Sequence, residues 1–412
     1  MKKRSLKPLF AIWIGLSALF LTACAEPGPD QFLGPNGRAA LDVVLRSAVA
    51  SGDVPGVVAM VVDRESILYR NAFGVMDADG DEAMRPDAIF QIFSMTKPIT
   101  SVGIMILREE GLVELDAAAS TYLPELEGRE VLVGFASSGS AIQTRPAARP
   151  ITIRDLLRHT SGFGYAFSNS DVLALASRGI PDWAHPIVHD PGARWTYGMG
   201  PAFLGRIIEE VSGQPLPDFL ESRIFGPLGM TDTSFSLNAE DSGRLVATYQ
   251  RVNGELRGQP GPDEYGPTIR GDYGLLSTAD DYARFLQAIL GLGERSGVRL
   301  LADTSVGEMA RNQLPGIVVS EQVGAMRNLS LDFPLGAGQD GFGLGFQVAV
   351  GESAGGRPPG SLSWAGLQNT HFWVDPHNEI AVILLLQILP FYDEKVIELL
   401  LSFERALYAQ VQ

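Results

Sequence analysis

The stretch Phe93-Ser94-Met95-Thr96-Lys97-Pro98 contains the residues that decide how this chain is interpreted. A serine and a lysine three positions apart share one face of a helix, so the Ser94 hydroxyl and the Lys97 amine can meet. Pro98 suits the first turn of a helix, where its missing N–H costs little. The spacing therefore predicts a helix that begins near Ser94, with a serine nucleophile at the positive end of that helix.

Lys97 is conspicuous because lysine is rare in this chain. After the amino-terminal segment the only other lysine is Lys395, and nearly all remaining positive charge is arginine. A buried lysine can lose its proton and act as a base, whereas an arginine cannot. Apolar neighbours favour burial of Lys97 over the alternative of a solvated lysine at an ordinary helix start.

Longer strings, in order along the chain, resemble the serine β-lactamase and penicillin-binding protein superfamily, which uses Ser-x-x-Lys. The strings are ITIRDLLRHTSG (151–162), PGARWTY (191–197), LGRIIE (204–209), FGPLGM (225–230) and GLLSTADDY (274–282). The resemblance is closest to the class C-like branch that includes the family VIII carboxylesterases. It implies an α/β, β-lactamase-like fold, in which terminal helices flank an antiparallel sheet and a helical domain is inserted.

The resemblance also assigns roles to individual residues. Ser94 would be the nucleophile, and Tyr197, in Tyr197-Gly198-Met199, would share the general-base role with Lys97. The backbone N–H groups of Ser94 and Leu367 would form the oxyanion hole. A tyrosine that only packs its ring against the core is the structural alternative for Tyr197.

Two departures from the β-lactamase pattern bear on the substrate. Trp364-Ala365-Gly366-Leu367 stands where β-lactamases have Lys-Thr-Gly, so the lysine expected to hold a substrate carboxylate is missing. Met199 replaces a side chain that would hydrogen-bond an amide. A site without these polar partners favours a neutral, apolar acyl ester. We expect Met199, Trp364, Ala365 and Gly366 to bind the substrate, with Gly366 letting it approach the strand edge closely.

The expected function is therefore a serine hydrolase that forms an acyl-enzyme and acts as a carboxylesterase on short apolar acyl esters, with no metal or cofactor. A β-lactamase, or a D-amino-acid peptidase acting on cell-wall fragments, is the first alternative. A penicillin-binding-like protein without turnover is the second. A net charge of −16, which becomes −20 once the four basic residues of positions 1–23 are set aside, argues against nucleic acid as a partner.

Other candidate groups carry less weight. Gly-x-Ser-x-Gly at 351–355 fits an α/β-hydrolase motif, but the Gly- and Pro-rich residues 356–360 cannot open the helix that such a motif needs. His185 and His189 lack further ligands at zinc-site spacing. We expect His159 to be a structural histidine near the site, and His371 either to line the site or to face solvent.

The amino terminus has the features of an export signal. An apolar run of 13 residues, Leu9 to Leu21, follows basic residues and is too short to span a bilayer. Leu21-Thr22-Ala23-Cys24 resembles the lipobox of bacterial lipoproteins, and Cys24 is the only cysteine. The resemblance implies a signal peptide over 1–23, a tether over 24–36, and a periplasmic protein anchored by lipidated Cys24, with the outer membrane favoured. A plain cleaved signal or a short membrane anchor is the alternative.

Hydrophobic patterns place strands near both ends of the chain and helices between them. The predicted strands are Val57–Val62, Ser66–Phe73, Thr370–Val374 and Ile380–Leu386; the predicted helices are Ile99–Leu107, Ile153–Arg158, Pro201–Val211, Pro217–Ile224, Ala279–Leu290 and one after Pro390. We expect a sheet domain from 37–85 and 270–412 and a mainly helical domain over 86–269 that carries Ser94, Lys97 and Tyr197. Residues 128–150 and 308–345 are expected to be long irregular stretches.

Overall fold

The computed structural model describes residues 33–77, 80–136, 141–259, 269–334 and 336–410. The helices are α1 Pro35–Ala50, α2 Thr96–Glu109, α3 Ile153–Leu157, α4 Ser170–Ala176, α5 Gly200–Ser212, α6 Leu216–Leu220, α7 Gly226–Leu228, α8 Ala279–Leu290, α9 Asp303–Ala310 and α10 Glu394–Tyr408. The strands are β1 Gly56–Val62, β2 Ile67–Gly74, β3 Phe90–Gln91, β4 Glu130–Phe135, β5 Ile142–Pro146, β6 Thr248–Val252, β7 Glu255–Gln259, β8 Leu276–Ser277, β9 Glu294–Arg295, β10 Val298–Arg299, β11 Gly341–Phe342, β12 Gln347–Val348, β13 Leu362–Gly366, β14 Thr370–Asp375, β15 Ile380–Leu385 and β16 Ile388–Leu389.

A seven-stranded antiparallel sheet in the order β11-β12-β13-β14-β15-β1-β2 forms the centre of the molecule. Val58 of β1 lies opposite Leu385 of β15, so strands from distant parts of the sequence are neighbours. The predicted antiparallel sheet built from both ends of the chain is confirmed, and the fold is β-lactamase-like.

Strand β1 is buried on both faces of this sheet. Val57, Ala59 and Val61 pack in one apolar cluster with α1 and α10, whereas Val58 and Met60 pack in a second cluster with the helices around α2. Burial on both faces explains why this strand reads as a continuous apolar run rather than an alternating one. The terminal helices α1 and α10 thus cover one face, as expected from the sequence, and the site lies on the other.

Helix α2 is a core helix whose residues are buried at every position from Thr96 to Leu107. It lies close to α5 because Gly103 has no side chain: a Cβ there would come within 2.9 Å of Ile208 of α5. This close packing brings the start of α2, which carries Lys97, next to the loop that precedes α5.

The two stretches expected to be irregular both contain some regular structure. Residues 128–150 contain the β4–β5 hairpin, so that expectation was wrong. Within 308–345, α9 runs to Ala310, and the described residues between it and β11 contain no further helix. A bridge between Gln322 and Phe333 joins two parts of this stretch, and a bridge between Ser330 and Phe391 ties it to the body.

The proposed division into domains at residues 85/86 and 269/270 stays a prediction. The predicted signal peptide at 1–23, and Cys24 with most of the tether, lie outside the described residues. In the described part of the chain, none of the helices combines the length and apolar character that crossing a membrane requires.

Candidate active site

Ser94 lies at the centre of a single 3₁₀ turn, Phe93–Met95, that leads directly into α2. Phe93 has a φ of 42°, a left-handed conformation that bulky residues rarely adopt. Such strain costs about 1–3 kcal/mol and persists only where the surroundings enforce it. The Tyr282 hydroxyl helps to hold the turn by donating a hydrogen bond of 2.9 Å to the Met95 carbonyl. The turn presents a partly exposed serine at the head of a buried helix.

The structure brings the three predicted catalytic side chains together. Lys97 Nζ lies 2.9 Å from Ser94 Oγ, and the Tyr197 hydroxyl lies 2.6 Å from the same oxygen. Lys97 comes from the first turn of α2, and Tyr197 comes from the loop before α5. The serine hydroxyl is therefore held by two groups that can exchange protons with it.

Lys97 is buried, and in the described chain its ammonium hydrogen-bonds Ser94 and a backbone carbonyl rather than a carboxylate. Its ammonium donates to the backbone carbonyl of Asp272 at 2.8 Å, and it lies 4.9–5.1 Å from the ring centroids of Tyr197 and Tyr165. Burial, opposed by the Asp272 carboxylate and assisted by Arg270, lowers the pKa of Lys97 to about 7. A substantial fraction of this amine is neutral at pH 7 and can accept the Ser94 proton.

Burial shifts the pKa of Tyr197 upward, whereas it shifts that of Lys97 downward. It raises the pKa of the Tyr197 hydroxyl, and the nearby Ser94 hydroxyl and Trp364 indole oppose that shift only in part. Tyr197 is therefore protonated at neutral pH and can donate to an oxygen. The pKa directions suit Lys97 as a base and Tyr197 as a proton donor, and the shared base role that the family resemblance implies stays a prediction.

His159 supports the loop that carries Tyr197. The two ring centroids lie 5.0 Å apart, and the Gly198 N–H donates to His159 Nδ1 at 3.4 Å. Burial, with a smaller effect from Lys97, lowers the pKa of His159 well below its usual value, so the imidazole is a neutral acceptor. A side chain at position 198 would collide with the Phe163 carbonyl, so only glycine fits there. His159 is a structural histidine beside the site, as expected.

Trp364, Ala365 and Gly366 form the end of β13, and they line a cavity together with Ser94 and Leu367. The expectation that Gly366 lets a substrate approach the strand edge stays a prediction. The structure shows a second reason for a glycine there: a Cβ would collide with the Ile92 carbonyl and the Thr370 hydroxyl. The absence of a side chain lets β13 pack against the segment that leads into Ser94, and the next residue, Leu367, lines both cavities with the serine.

Two cavities meet at Ser94, and Leu367 lines both. The edge cavity has a volume of about 50 Å³ and lies along β13; its lining includes Tyr197, Phe333, Trp364, Gly366 and His371. The helix-side cavity has a volume of about 430 Å³; its lining includes Phe93, Tyr165, Val172, Met199, Met326 and Leu329. Met199 is thus placed where a substrate bound to Ser94 could contact it. Part of the 308–345 stretch forms walls of these cavities.

Sequence reasoning missed Asp272 and the residues that hold it. The Asp272 carboxylate is fully buried and accepts from Tyr165 at 2.5 Å and from Arg270 at 2.8 Å, while its carbonyl accepts from Lys97. The only sequence signal was the charged pair at 270 and 272. Because the contact to Lys97 uses a backbone carbonyl, no residue type at position 272 could have revealed it.

In the described chain, none of the weaker candidates hydrogen-bonds Ser94, Lys97 or Tyr197, although His185 and His371 line the two cavities. Ser353 lies in a turn, where its hydroxyl contacts Glu404, and no helix follows it, so the α/β-hydrolase alternative fails. His185 and His189 hydrogen-bond Ile180 and Thr196 respectively. Over the described ranges, no group of three or more His, Cys, Asp or Glu side chains could hold a metal ion. His371 is buried and lines the edge cavity, so its solvent-facing alternative is wrong.

Comparison with known proteins agrees with this geometry. The Beta-lactamase family profile matches residues 41–404. The chain belongs to the β-lactamase family. The resemblance to the β-lactamase and penicillin-binding protein superfamily is confirmed, and the protein is a serine hydrolase.

The relatives of this β-lactamase family member include esterases and acyltransferases. Protein Rv1367c of Mycobacterium tuberculosis (strain ATCC 25618 / H37Rv) is 36% identical over 84% of this chain and 89% of its own. Monacolin J acid methylbutanoyltransferase of Aspergillus terreus (strain NIH 2624 / FGSC A1156) is 29% identical over 90% of this chain and 96% of its own. Esterase EstB of Burkholderia gladioli is 28% identical over 84% and 89%. A solved structure of simvastatin synthase from Aspergillus terreus, the LovD6 mutant, superposes with a TM-score of 0.80 at 28% identity, covering 91% of this chain and 98% of that chain.

Proposed function

We propose that this protein is a carboxylesterase that hydrolyses short apolar acyl esters through an acyl-enzyme on Ser94. The observation that carries the proposal is the pair of short contacts to Ser94 Oγ, from a lysine whose pKa is lowered to about 7 and from a protonated tyrosine. A base and an acid on one nucleophile are what a two-step acyl transfer requires.

The first half-reaction uses both partners. Neutral Lys97 takes the Ser94 proton while Oγ attacks the ester carbonyl, and the backbone N–H groups of Ser94 and Leu367 stabilise the developing oxyanion. The Tyr197 hydroxyl gives its proton to the departing alkoxide, and Lys97 returns a proton to Tyr197. The products of this step are the free alcohol and an acyl-Ser94 ester. Water then attacks that ester with the same groups acting in reverse order.

The charges around the cavities support a neutral substrate. The arginines that line them are paired: Arg270 with Asp272 at 2.8 Å, and Arg357 with Glu404 at 2.8 Å. Trp364 stands at the position of the β-lactamase motif lysine and offers apolar area. A carboxylate-bearing β-lactam or peptide would therefore lose hydration without gaining a free cation.

Parallel assays test this proposal: hydrolysis of p-nitrophenyl butyrate and of nitrocefin by the protein from Ala25 onward, each with a Ser94→Ala control. We expect serine-dependent ester turnover and little nitrocefin turnover. Fast nitrocefin turnover would support a β-lactamase. Labelling of Ser94 by a β-lactam without turnover of either substrate would support a peptidase or a binding protein.

Transfer of the acyl group to an alcohol is a second candidate. The helix-side cavity of about 430 Å³ opens onto Ser94 and is large enough for a bulky acceptor. One relative is named as a methylbutanoyltransferase, which supports the same chemistry. Incubation with a vinyl butyrate donor and a range of alcohols, followed by chromatography of the products, measures the ratio of transfer to hydrolysis. Formation of butyric acid alone with every acceptor would exclude this candidate.

We also propose that the protein is a periplasmic lipoprotein anchored by Cys24, most simply at the outer membrane. The proposal is supported by the lipobox-like string and by the position of the only cysteine within it.

A further inference from the structure

The edge cavity continues past the free edge of β13 to the far face of the sheet. Within the described chain, β12 pairs with β13 only at Leu362 and Ser363, so the rest of β13 is unpaired on that side. The lining includes Trp364, which faces the site, and also Trp373 and Leu400, which lie on the opposite face with the terminal helices. A chain bound to Ser94 can therefore pass around this edge.

The far part of the cavity contains a buried polar atom that lacks a partner. His371 lies opposite Ala365 in the β13–β14 register and is 6% exposed. Its Nε2 is buried and has no hydrogen-bond partner in the described chain. Burial, reinforced by Arg357, lowers the pKa of His371 to about 3, so the imidazole is neutral. A neutral imidazole offers one donor and one acceptor nitrogen.

A second polar side chain in the same cavity is also unsatisfied. Ser168 is 7% exposed, and its hydroxyl has no partner among the described residues. Buried polar groups without hydrogen bonds are uncommon in native proteins and are costly. With Trp364 Nε1, three such atoms line this one cavity, where a bound molecule can supply their partners.

We propose that the edge cavity binds the acyl group of the substrate and that His371 recognises a hydroxyl group carried by that acyl chain. The proposal rests on the esterase function proposed above and specifies its substrate class. Leu367 and Ala365 are two residues apart, which is about 7 Å along a strand. An extended acyl chain of about six carbon atoms covers roughly that distance and places its terminal hydroxyl beside His371.

The charges at the far end favour a hydroxyl over a carboxylate. The only cation that lines the cavity in the described structure is Arg357, and Glu404 already pairs with it. A second carboxylate would add an uncompensated negative charge to a buried site, which is costly. A hydroxyl can donate to or accept from either imidazole nitrogen and brings no charge.

Comparison of matched esters tests this assignment. The probes are p-nitrophenyl 6-hydroxyhexanoate, p-nitrophenyl heptanoate of the same chain length, and the mono-p-nitrophenyl ester of adipic acid. We expect kcat/KM for the hydroxy ester to exceed that for heptanoate by about tenfold, since an unmade buried hydrogen bond costs about that factor. The adipate ester should be the poorest substrate.

Variants assign the preference to His371. His371→Phe should bring the hydroxy-to-heptanoate ratio to about one, and His371→Gln, which keeps a donor and an acceptor, should restore part of it. His377→Phe, at an exposed histidine in the turn after β14, is the matched control and should keep the wild-type ratio. Thermal melts identify any variant that does not fold. If His371→Phe does not fold, the hydroxy-to-heptanoate ratio of His371→Gln decides whether His371 carries the preference.

A wild-type ratio near one, or a ratio that His371→Phe leaves unchanged, would overturn the inference, and the unpaired atoms would then be satisfied by water in the cavity. Either outcome leaves Ser94-dependent ester turnover intact. Absence of turnover with all three esters would instead contradict the proposed function itself.

Discussion

The surroundings of Lys97 differ strongly from those of a solvent-exposed lysine. It is buried, donates to a backbone carbonyl and to Ser94, and faces two tyrosine rings. This environment makes the neutral amine accessible near pH 7. An arginine in the same place would keep its charge and could not accept the serine proton.

Substitution of the nucleophile or the base should abolish ester turnover. We expect Ser94→Ala and Lys97→Arg each to lower kcat for p-nitrophenyl butyrate by about a thousandfold or more. The residues act as one catalytic unit, so the loss of either the nucleophile or the base removes most of the rate enhancement of the unit. Ser353→Ala is the matched control and should retain nearly full activity, since the Ser353 hydroxyl contacts Glu404 and the backbone N–H groups of Gly355 and Arg357, and none of the catalytic side chains. Full activity in either of the first two variants would refute the assignment.

The pH dependence of kcat/KM should report the titration of Lys97. Activity should rise through a midpoint near pH 7, because the amine must be neutral to accept a proton. The Asp272 carboxylate favours the charged amine, so Asp272→Asn should lower the pKa of Lys97 and move the midpoint to lower pH, by up to about one unit. An unchanged or higher midpoint in a folded Asp272→Asn variant would contradict this account.

The sequence identified Ser94, Lys97 and Tyr197 as candidate site residues, because motif strings mark their positions. It did not identify Asp272, because Asp272 contacts Lys97 through its backbone carbonyl and lies 175 residues away in the sequence. It also did not find the packing role of Gly366, because the sequence does not reveal which backbone segment packs against that strand.

Strand β13 forms a wall of the edge cavity beside Ser94. Its end packs against the residues before Ser94 because Gly366 has no side chain. We expect this packing to position the Leu367 backbone relative to Ser94. A shift of about 1 Å in such a geometry can cost a hundredfold in rate.

Gly366→Ala tests the role of β13 directly. The new methyl group would collide with the Ile92 carbonyl, so we expect kcat for p-nitrophenyl butyrate to fall about tenfold to a hundredfold. Gly307→Ala in α9, where a Cβ meets nothing within 4 Å, is the matched control and should keep the wild-type kcat. Equal kcat values for the two variants at equal thermal stability would exclude this role.

Element prediction succeeded where burial gives a clear pattern. Strand β1 and helix α2 are buried on all sides and read as long apolar segments. The β4–β5 hairpin was missed because its strands are largely exposed and its register shifts between Leu132 and Gly134, so no alternation of apolar and polar residues survives.

The whole molecule combines a sheet covered by terminal helices on one face with two cavities that meet at the nucleophile on the other, and the edge cavity continues around β13 to the helix-covered face. This arrangement provides separate places for the acyl group and for the alcohol of an ester. The overall fold was predictable because the motif strings span most of the chain. The cavities were not, since they depend on how the 308–345 stretch packs against β13 and α4.

Membrane anchoring through Cys24 is a prediction that concerns the full-length protein in the cell. If Cys24 carries the lipid, full-length protein expressed in a Gram-negative host should sediment with membranes, and Cys24→Ser should move to the soluble fraction. Ester hydrolysis by the released protein should be unchanged, because no catalytic or substrate-binding role is assigned to Cys24. Membrane association that persists in Cys24→Ser, without a lipid-dependent mass change in the wild type, would refute lipidation.

The most direct test of the central claim is mass spectrometry of the protein quenched in acid during turnover of p-nitrophenyl butyrate. The account predicts a butyryl mass increase on the peptide that contains Ser94, and its absence from the Ser94→Ala variant. A butyryl group on any other residue, or turnover by the Ser94→Ala variant, would contradict it.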